Sequence, residues 1–182
     1  MSGGLRAEAD GGMMGVMKPR GSIVLQHVQA EPGLSVAAEL FREYAASLPF
    51  SLCFQGFDEE LKALPGKYAQ PRGTIILAHR VMADGSAGEA VGCVALRAIL
   101  DERTCEMKRM YVKPTCRGLG VGRLLADELI RFARGAGFAR MLLDSEPDFA
   151  AAMGLYRSLG FVDTERYNDD PHPQTVFMEL RL

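Results

Sequence analysis

The chain has 182 residues, a formal net charge of −2 and a sequence pI near 5.9. Hydrophobic residues make up 48% and charged residues 24%, which is typical of one globular domain long enough to bury a core. The charge balance argues against a general nucleic-acid-binding protein. No apolar run approaches the roughly 18 residues that a membrane span needs, so we expect neither nucleic acid nor a membrane as a partner.

The N-terminal segment, residues 1–21, is rich in Gly and Met and lacks the continuous apolar stretch of a secretory signal. We interpret it as a disordered extension and expect a single domain over residues 22–182. No CxxC spacing or close Cys/His pairing is found at the four cysteines, which are Cys53, Cys93, Cys105 and Cys116. We therefore expect free thiols in a reducing cytoplasm, and no metal.

Hydrophobic periodicity predicts the elements of the first half of the chain. A strand at Ser22–Val28 precedes a helix at Ser35–Leu48, which Pro49 ends. A short helix at Phe57–Leu64 stops at a Pro-Gly pair. Three strands joined by polar turns then follow, at Gly73–Arg80, Ala90–Ile99 and Thr104–Val112.

The second half alternates helices and strands. A helix at Val121–Arg134 has one apolar and one charged face, and a strand at Ala139–Leu143 follows it. Ser145 and Asp148 resemble the capping box of a further helix that runs to about Leu159. The last strands are Phe161–Tyr167 and Thr175–Leu182.

This order of elements predicts an α/β fold. We expect a mixed, mostly antiparallel sheet of about six to seven strands with helices on both faces. Thr104–Val112 and Ala139–Leu143 are joined by a helix, so they are expected to be parallel, with a right-handed crossover.

Gly118, Gly120 and Gly122 lie between a predicted strand and a predicted helix. Such a turn can present backbone N–H groups outward while the helix N-terminus adds partial positive charge, and a pyrophosphate fits such a site. Glycine lets phosphate oxygens approach the backbone, and Arg117 and Arg123 add positive charge. The pattern alone is a weak signal, since a plain flexible turn has the same composition.

A dinucleotide-binding unit is the main rival, with Asp144 near the position of an acidic ribose ligand. Three observations disfavour it. The third glycine position holds Arg123, the segment Lys113–Cys116 separates the turn from its strand, and too little chain follows to complete a doubly wound sheet. A P-loop is excluded, because no Gly-Lys-Ser/Thr follows the turn.

The context of the turn resembles a known family. Met110–Pro114, then Arg117–Gly122, then an amphipathic helix resemble the central acetyl-CoA motif of the GNAT family of N-acetyltransferases. Leu155–Phe161 resembles the family's second signature. Two further segments resemble a bacterial subgroup with many members of unassigned substrate, namely Glu60–Gly73 and Glu106–Val112. The resemblance extends from about residue 23 to the C-terminus.

The resemblance implies acetyl transfer from the cosubstrate acetyl-CoA to a primary amine, by direct attack in a ternary complex. In the family the strand ending at Val112 parts from its parallel neighbour, and the cofactor lies in the gap. The backbone of Met110 and Val112 would contact the pantetheine arm, and the turn would hold the pyrophosphate. The implied cofactor-binding residues are Met110, Tyr111, Val112, Arg117, Gly118, Leu119, Gly120, Val121, Gly122 and Arg123.

Tyr156 matches the family tyrosine that protonates the departing sulfur. Transfer from a phenol of pKa about 10 to a thiolate of pKa about 8.5 is feasible, though uphill. The alternative interpretation is core packing, because Tyr156 shares a helical face with Phe149, Met153 and Leu159.

Glu106 is the candidate general base. Strand alternation predicts one face with Glu106, Lys108 and Met110, opposite a face with Cys105, Met107, Arg109 and Tyr111. The alternative is a solvated carboxylate paired with Lys108 or Arg109.

Three further questions stay open in the sequence. A catalytically silent acyl-CoA-binding sensor would share the cofactor cleft, although a retained Tyr156 favours the enzyme. The acceptor could be a small amine, an amino acid, an antibiotic or a peptide amine. A homodimer is compatible with the family.

Overall fold

A computed structural model gives the fold and describes residues 22–50, 52 and 56–182. The predicted extension at residues 1–21 and the cysteine at position 53 lie outside the described residues. Within the described ranges, no helix is both long and apolar enough to cross a membrane. The three cysteines described there are free and buried, namely Cys93, Cys105 and Cys116.

The order of elements predicted from the sequence is confirmed. The strands of the described residues are β1 (Ile23–Val28), β2 (Thr74–Val81), β3 (Ala87–Ala98), β4 (Thr104–Val112), β5 (Arg140–Ser145), β6 (Val162–Asp163) and β7 (Val176–Arg181). The α-helices are α1 (Gly33–Ala46), α2 (Phe57–Lys62), α3 (Val121–Gly135) and α4 (Ala150–Ser158). Short 3-10 turns lie at Gly66–Tyr68 and Pro114–Cys116.

The strands form one sheet in the order β1-β2-β3-β4-β5-β7-β6. Strands β4 and β5 are parallel, as expected for strands joined through α3, and the other neighbours are antiparallel. Each face of the sheet has its own core. One cluster joins the sheet to α3 and α4 through residues such as Leu125, Leu129 and Met153. The other joins it to α1 and α2 through Leu40 and Phe57.

A bulge in β4 overturns the predicted alternation of its side chains. Cys93 pairs with Tyr111 while Ala95 pairs with Lys108, so β4 has one residue more than β3 between these pairs. Arg109 lies in this bulge with a φ of 56°. The extra residue reverses the alternation, so Met110 packs against the α3–α4 core and Tyr111 joins the α1–α2 core. Met110 therefore does not share a face with Glu106, contrary to the prediction.

Two other local predictions were wrong. Ser145 caps no helix, because it is the last residue of β5 and pairs with Val176 of β7, and α4 begins only at Ala150 without a side-chain cap. The strand predicted at Phe161–Tyr167 is limited to the two residues of β6. Tyr167 instead donates a hydrogen bond from its hydroxyl to Glu106, so this segment leaves the sheet.

Candidate active site

A gap opens in the sheet where β4 and β5 stop pairing. Their ladder ends at the pair of Glu106 with Leu142. Beyond it, Met107–Met110 and Leu143–Glu146 line a cavity of about 80 Å³. Side chains from α1, α4 and the neighbouring loops complete the wall, among them Tyr44, Phe50, Tyr156, Asp170 and Thr175. The predicted parallel pair is therefore confirmed, and its two strands part beyond Glu106 and Leu142.

Tyr156 lies on α4 in the wall of this cavity. The residue is 6% exposed and packs against Phe161, with 5.9 Å between ring centroids. Its hydroxyl has no hydrogen-bond partner in the described part of the chain. The fully buried side-chain nitrogen or oxygen atoms without a partner found there comprise only His79 Nε2, so the Tyr156 hydroxyl is not fully buried. The Tyr156 hydroxyl is therefore open to the cavity. Burial, with a smaller contribution from the nearby Asp144 carboxylate, raises the pKa of Tyr156 above 10, so it is protonated at neutral pH.

The glycine-rich turn forms the N-terminus of α3. Gly118 and Gly120 adopt φ angles of 74° and 82°, a conformation that glycine accepts without steric cost. Gly120 directly precedes α3, no side chain caps this helix, and Leu124 N–H donates to the Gly120 carbonyl at 3.1 Å. The N–H groups ahead of Leu124 have no partner one turn back within the helix, and the helix dipole favours negative charge there. The turn is suited to a phosphate group.

Gly122 connects the turn to α4. A Cβ at this position would lie 3.5 Å from Leu155 Cδ2 and 3.8 Å from Val112 Cγ2, which are ordinary contacts. The backbone therefore requires glycine at Gly118 and Gly120, whereas the protein leaves room for a methyl group at Gly122. The turn therefore lies against Leu155 of α4, one residue before Tyr156, and beside Val112 at the end of β4.

The two arginines of the turn are exposed and form hydrogen bonds and an ion pair with nearby residues. Arg117 Nε donates to the Val112 carbonyl at 3.1 Å. Arg123 pairs with Asp127 at 3.0 Å and donates to the Ser158 hydroxyl at 3.3 Å. These contacts are at the surface and weak, so they leave positive charge available beside the turn.

The other predicted cofactor-binding residues lie along the same path. Met110 lines the cavity, and Val112 packs beside it against the α3–α4 core. Tyr111 is buried on the α1 side, Val121 is buried at the start of α3, and Leu119 is 57% exposed in the turn. Tyr111 and Val121 can therefore meet a cofactor only through their backbone.

Glu106 lies behind the cavity wall. Its carboxylate is fully buried and accepts hydrogen bonds from Arg97 Nε at 2.6 Å and from the Tyr167 hydroxyl at 2.9 Å. It is not solvated, contrary to the alternative interpretation of this residue. Lys108, whose Nζ lies 3.6 Å from Glu106 Oε1, lines the cavity and links Glu106 to it.

Lys108 also pairs with Asp144 across the gap, at 2.9 Å. Burial alone would raise the pKa of Asp144, but the Lys108 charge and hydrogen bonds from Lys108 and Asn168 lower it below its ordinary value. Asp144 therefore presents an ionised carboxylate to the cavity. Sequence reasoning considered it only as a ribose ligand; its position at the end of an apolar strand was the available signal.

A second buried network holds the bulge of β4. Arg109 donates from Nε and Nη2 to the two carboxylate oxygens of Glu60, at 2.7 and 2.9 Å. Tyr68 and Lys67 also contact this carboxylate, at 2.9 and 2.6 Å. Burial would raise the pKa of Glu60, but Arg109 and Lys67 lower it from 4.5 to about 2. This network ties α2 to the cavity wall, and sequence reasoning missed it.

Comparison with known proteins decides the family. The profile of the Acetyltransferase (GNAT) family matches residues 37–161, more than two thirds of the chain. The chain belongs to the GNAT family. An uncharacterized N-acetyltransferase of Schizosaccharomyces pombe is 36% identical over 167 residues, which cover 92% of this chain and 99% of the relative. Because that relative is eukaryotic, the similarity is not confined to bacterial proteins.

Solved GNAT structures share the fold. An acetyltransferase of Streptococcus agalactiae has a TM-score of 0.69 at 21% identity, covering 88% of this chain and 98% of its own. An N-acetyltransferase of Thermoplasma acidophilum, solved in complex with coenzyme A, has a TM-score of 0.64 at 18% identity, covering 88% and 99%. Family membership makes this GNAT protein an acetyl-CoA-dependent acyltransferase, as the sequence predicts.

Proposed function

We propose that this GNAT protein transfers the acetyl group of acetyl-CoA to a primary amine by direct attack in a ternary complex. The observation that carries the proposal is that the open hydroxyl of Tyr156 lies in the wall of the cavity between β4 and β5. The uncapped N-terminus of α3 lies beside Val112, the last residue of β4. A cosubstrate along β4 would have its phosphates at the turn and its thioester beside Tyr156.

The residues of the gap fit a CoA-type ligand in charge and backbone geometry. The N–H groups from Gly118 into the first turn of α3 would bind the pyrophosphate, with Arg117 and Arg123 adding positive charge. The backbone of Met110 and Val112 would bind the pantetheine arm, since the ladder with β5 ends earlier. When bound, acetyl-CoA supplies the acetyl group as a reactive thioester.

Tyr156 is the proposed general acid. Because burial holds its pKa above 10, the phenol keeps its proton at neutral pH and is a hydrogen-bond donor. A free thiol has a pKa of about 8.5, so complete proton transfer to the thiolate is uphill. Donation to the negative charge that develops on the sulfur is therefore the main part of its role.

Glu106 is the proposed general base, acting through Lys108 rather than by contact with the amine. A base is needed because an alkyl ammonium has a pKa of about 10.4. Asp144 is the second candidate, because it lines the cavity and is ionised. The variants Glu106→Gln and Asp144→Asn separate the two. The variant whose kcat/KM is lowered at neutral pH and recovers as the pH approaches the pKa of the amine identifies the base.

Thiol release from acetyl-CoA with a panel of primary amines tests the proposal. We expect amine-dependent release and an acetylated amine by mass spectrometry. Tyr156→Phe should lower kcat about 100-fold and leave the affinity for CoA unchanged. Tyr68→Phe, which removes a buried hydroxyl outside the cavity, is the control and should keep kcat within about twofold. Tight CoA binding without turnover on any amine would contradict the proposal and favour a silent CoA-binding module.

A cytoplasmic location is part of the same proposal. The three free, buried thiols of the described residues support it, because extracellular proteins more often form disulfides. Cell fractionation tests the location. Light scattering on the purified protein tests the homodimer that the family resemblance allows.

A further inference from the structure

Two carboxylates converge on a single hydroxyl at one end of the cavity. The Thr175 hydroxyl lies 3.3 Å from Glu146 Oε1 and 3.1 Å from Asp170 Oδ1. A hydroxyl has one proton, so it can donate to only one of these oxygens at a time. Asp170 Oδ1 also accepts the main-chain N–H of His172 at 2.8 Å, whereas the second oxygen of each carboxylate has no hydrogen-bond donor within the described residues. This pair of negative charges is therefore incompletely satisfied by the protein.

The positively charged side chains near this pair form their ion pairs and hydrogen bonds with other groups. Lys108 pairs with Asp144 at 2.9 Å, and Arg109 forms its two-pronged pair with Glu60. Arg166 donates to the main-chain carbonyls of Asp170 and His172 and fixes their loop, but does not pair with either carboxylate. The cavity wall thus keeps an excess of negative charge at Glu146 and Asp170.

An independent observation points to this cavity as a ligand-binding site. Tyr156 is 6% exposed, lines the same cavity and directs a hydroxyl without a protein partner into it. Tyr44 lines the cavity as well and lies within electrostatic reach of Glu146. The reacting centre at Tyr156 and the carboxylate pair therefore belong to one small cavity of about 80 Å³.

We propose that the acceptor is a small diamine, whose second ammonium group binds between Glu146 and Asp170 while its first amine reaches the thioester beside Tyr156. This inference rests on the proposed function. In the reaction the first ammonium group gives one proton to the base and attacks as the neutral amine. Its nitrogen bonds to the acetyl carbon and loses a second proton as the carbon–sulfur bond breaks. The sulfur leaves with the bonding electrons and is protonated to the free thiol. The second ammonium group is unchanged throughout.

Three acceptors with four carbon atoms each test the inference, namely 1,4-diaminobutane, 1-aminobutane and 4-aminobutanoate. They share the reacting amine and differ at the carbon farthest from it, which carries an ammonium group, is a methyl group or is a carboxylate group. We expect kcat/KM for the diamine to exceed that for 1-aminobutane by about tenfold, with 4-aminobutanoate the poorest. The difference should lie in KM and should shrink as salt is added.

Variants locate the second ammonium group. Glu146→Gln and Asp170→Asn should each raise KM for the diamine several-fold, and the double variant should bring the diamine to 1-aminobutane ratio close to one. Asp148→Asn and Asp169→Asn remove exposed acids from the same two loops outside the cavity wall and should keep the ratio. Calorimetry with CoA checks that every variant is folded.

The outcomes separate the inference from the proposed function. Equal use of the diamine and 1-aminobutane, or a preference for 4-aminobutanoate, would overturn the inference while the acetyltransferase stands. The same holds if the double variant keeps the preference for the diamine. Failure to acetylate any of the three amines or a wider panel would instead sink the proposed function itself.

Discussion

Replacement of Glu60 by Gln is expected to destabilise the protein in a pH-dependent way. Arg109 and Lys67 lower the pKa of the buried Glu60 from 4.5 to about 2. A tenfold change in proton affinity is worth about 1.36 kcal/mol, so this difference contributes about 3 kcal/mol of stability at neutral pH. The variant also leaves the Arg109 charge, which is almost fully buried, without its carboxylate partner.

The sign of the pH dependence follows from the lowered pKa. A carboxyl group whose pKa is lower in the folded state contributes its full stability above the unfolded value of 4.5 and loses it as the pH falls towards 2. At about pH 3 some 2 kcal/mol of the contribution is gone. The difference between wild type and Glu60→Gln should therefore shrink from about 3 kcal/mol at pH 7 to about 1 kcal/mol at pH 3.

Urea unfolding at several pH values measures this difference. Glu59→Gln is the matched control, because Glu59 precedes Glu60 on α2 but is exposed and pairs with the exposed Lys62. Its effect should stay below about 0.5 kcal/mol at every pH. An equal loss of stability for Glu60→Gln at pH 7 and pH 3 would refute the reasoning, since the pKa of Glu60 would then not be lowered by folding.

The remaining predictions concern the turn and the gap. Gly120→Ala should cost about 1–2 kcal/mol of folding stability and weaken CoA binding, because φ is 82° at this position. Gly154→Ala on the open face of α4 is the control and should stabilise the protein by about 0.5–1 kcal/mol. Thermal unfolding and calorimetry with CoA measure both; an unaffected Gly120→Ala would contradict the account of the turn. Lys108→Met should cost about 3 kcal/mol by leaving Asp144 unpaired, while Lys62→Met at an exposed pair should cost under about 1 kcal/mol. Similar unfolding free energies for these two variants would show that the buried pair is unimportant.

The fold was largely predictable because its signals are local. Helical and strand periodicities predicted the element order, and the predicted bounds of β4 match those observed. The bulge was not predictable, because an arginine with positive φ leaves no mark on the sequence. Arg109 is held by Glu60, a residue 49 positions away, and this partnership is visible only in the folded chain.

The same contrast between local motifs and contacts of distant residues decides which parts of the candidate site were predictable. The glycine turn and the Tyr156 signature are contiguous motifs, so the sequence indicated them directly. The charge pairs around the cavity join distant segments, as Lys108 does with Asp144, and their polar residues are common in exposed loops. Glu106 illustrates the limit most clearly, since its burial and its hydrogen bond from Tyr167 depend on tertiary packing.

A crystal structure with bound acetyl-CoA tests the central claim most directly. We predict that the pyrophosphate lies on the backbone N–H groups of the Gly118–Gly122 turn, that the pantetheine arm runs along β4 beyond Glu106, and that the sulfur lies within hydrogen-bonding distance of the Tyr156 hydroxyl. A cofactor bound outside the gap between β4 and β5, or a sulfur far from Tyr156, would contradict the account.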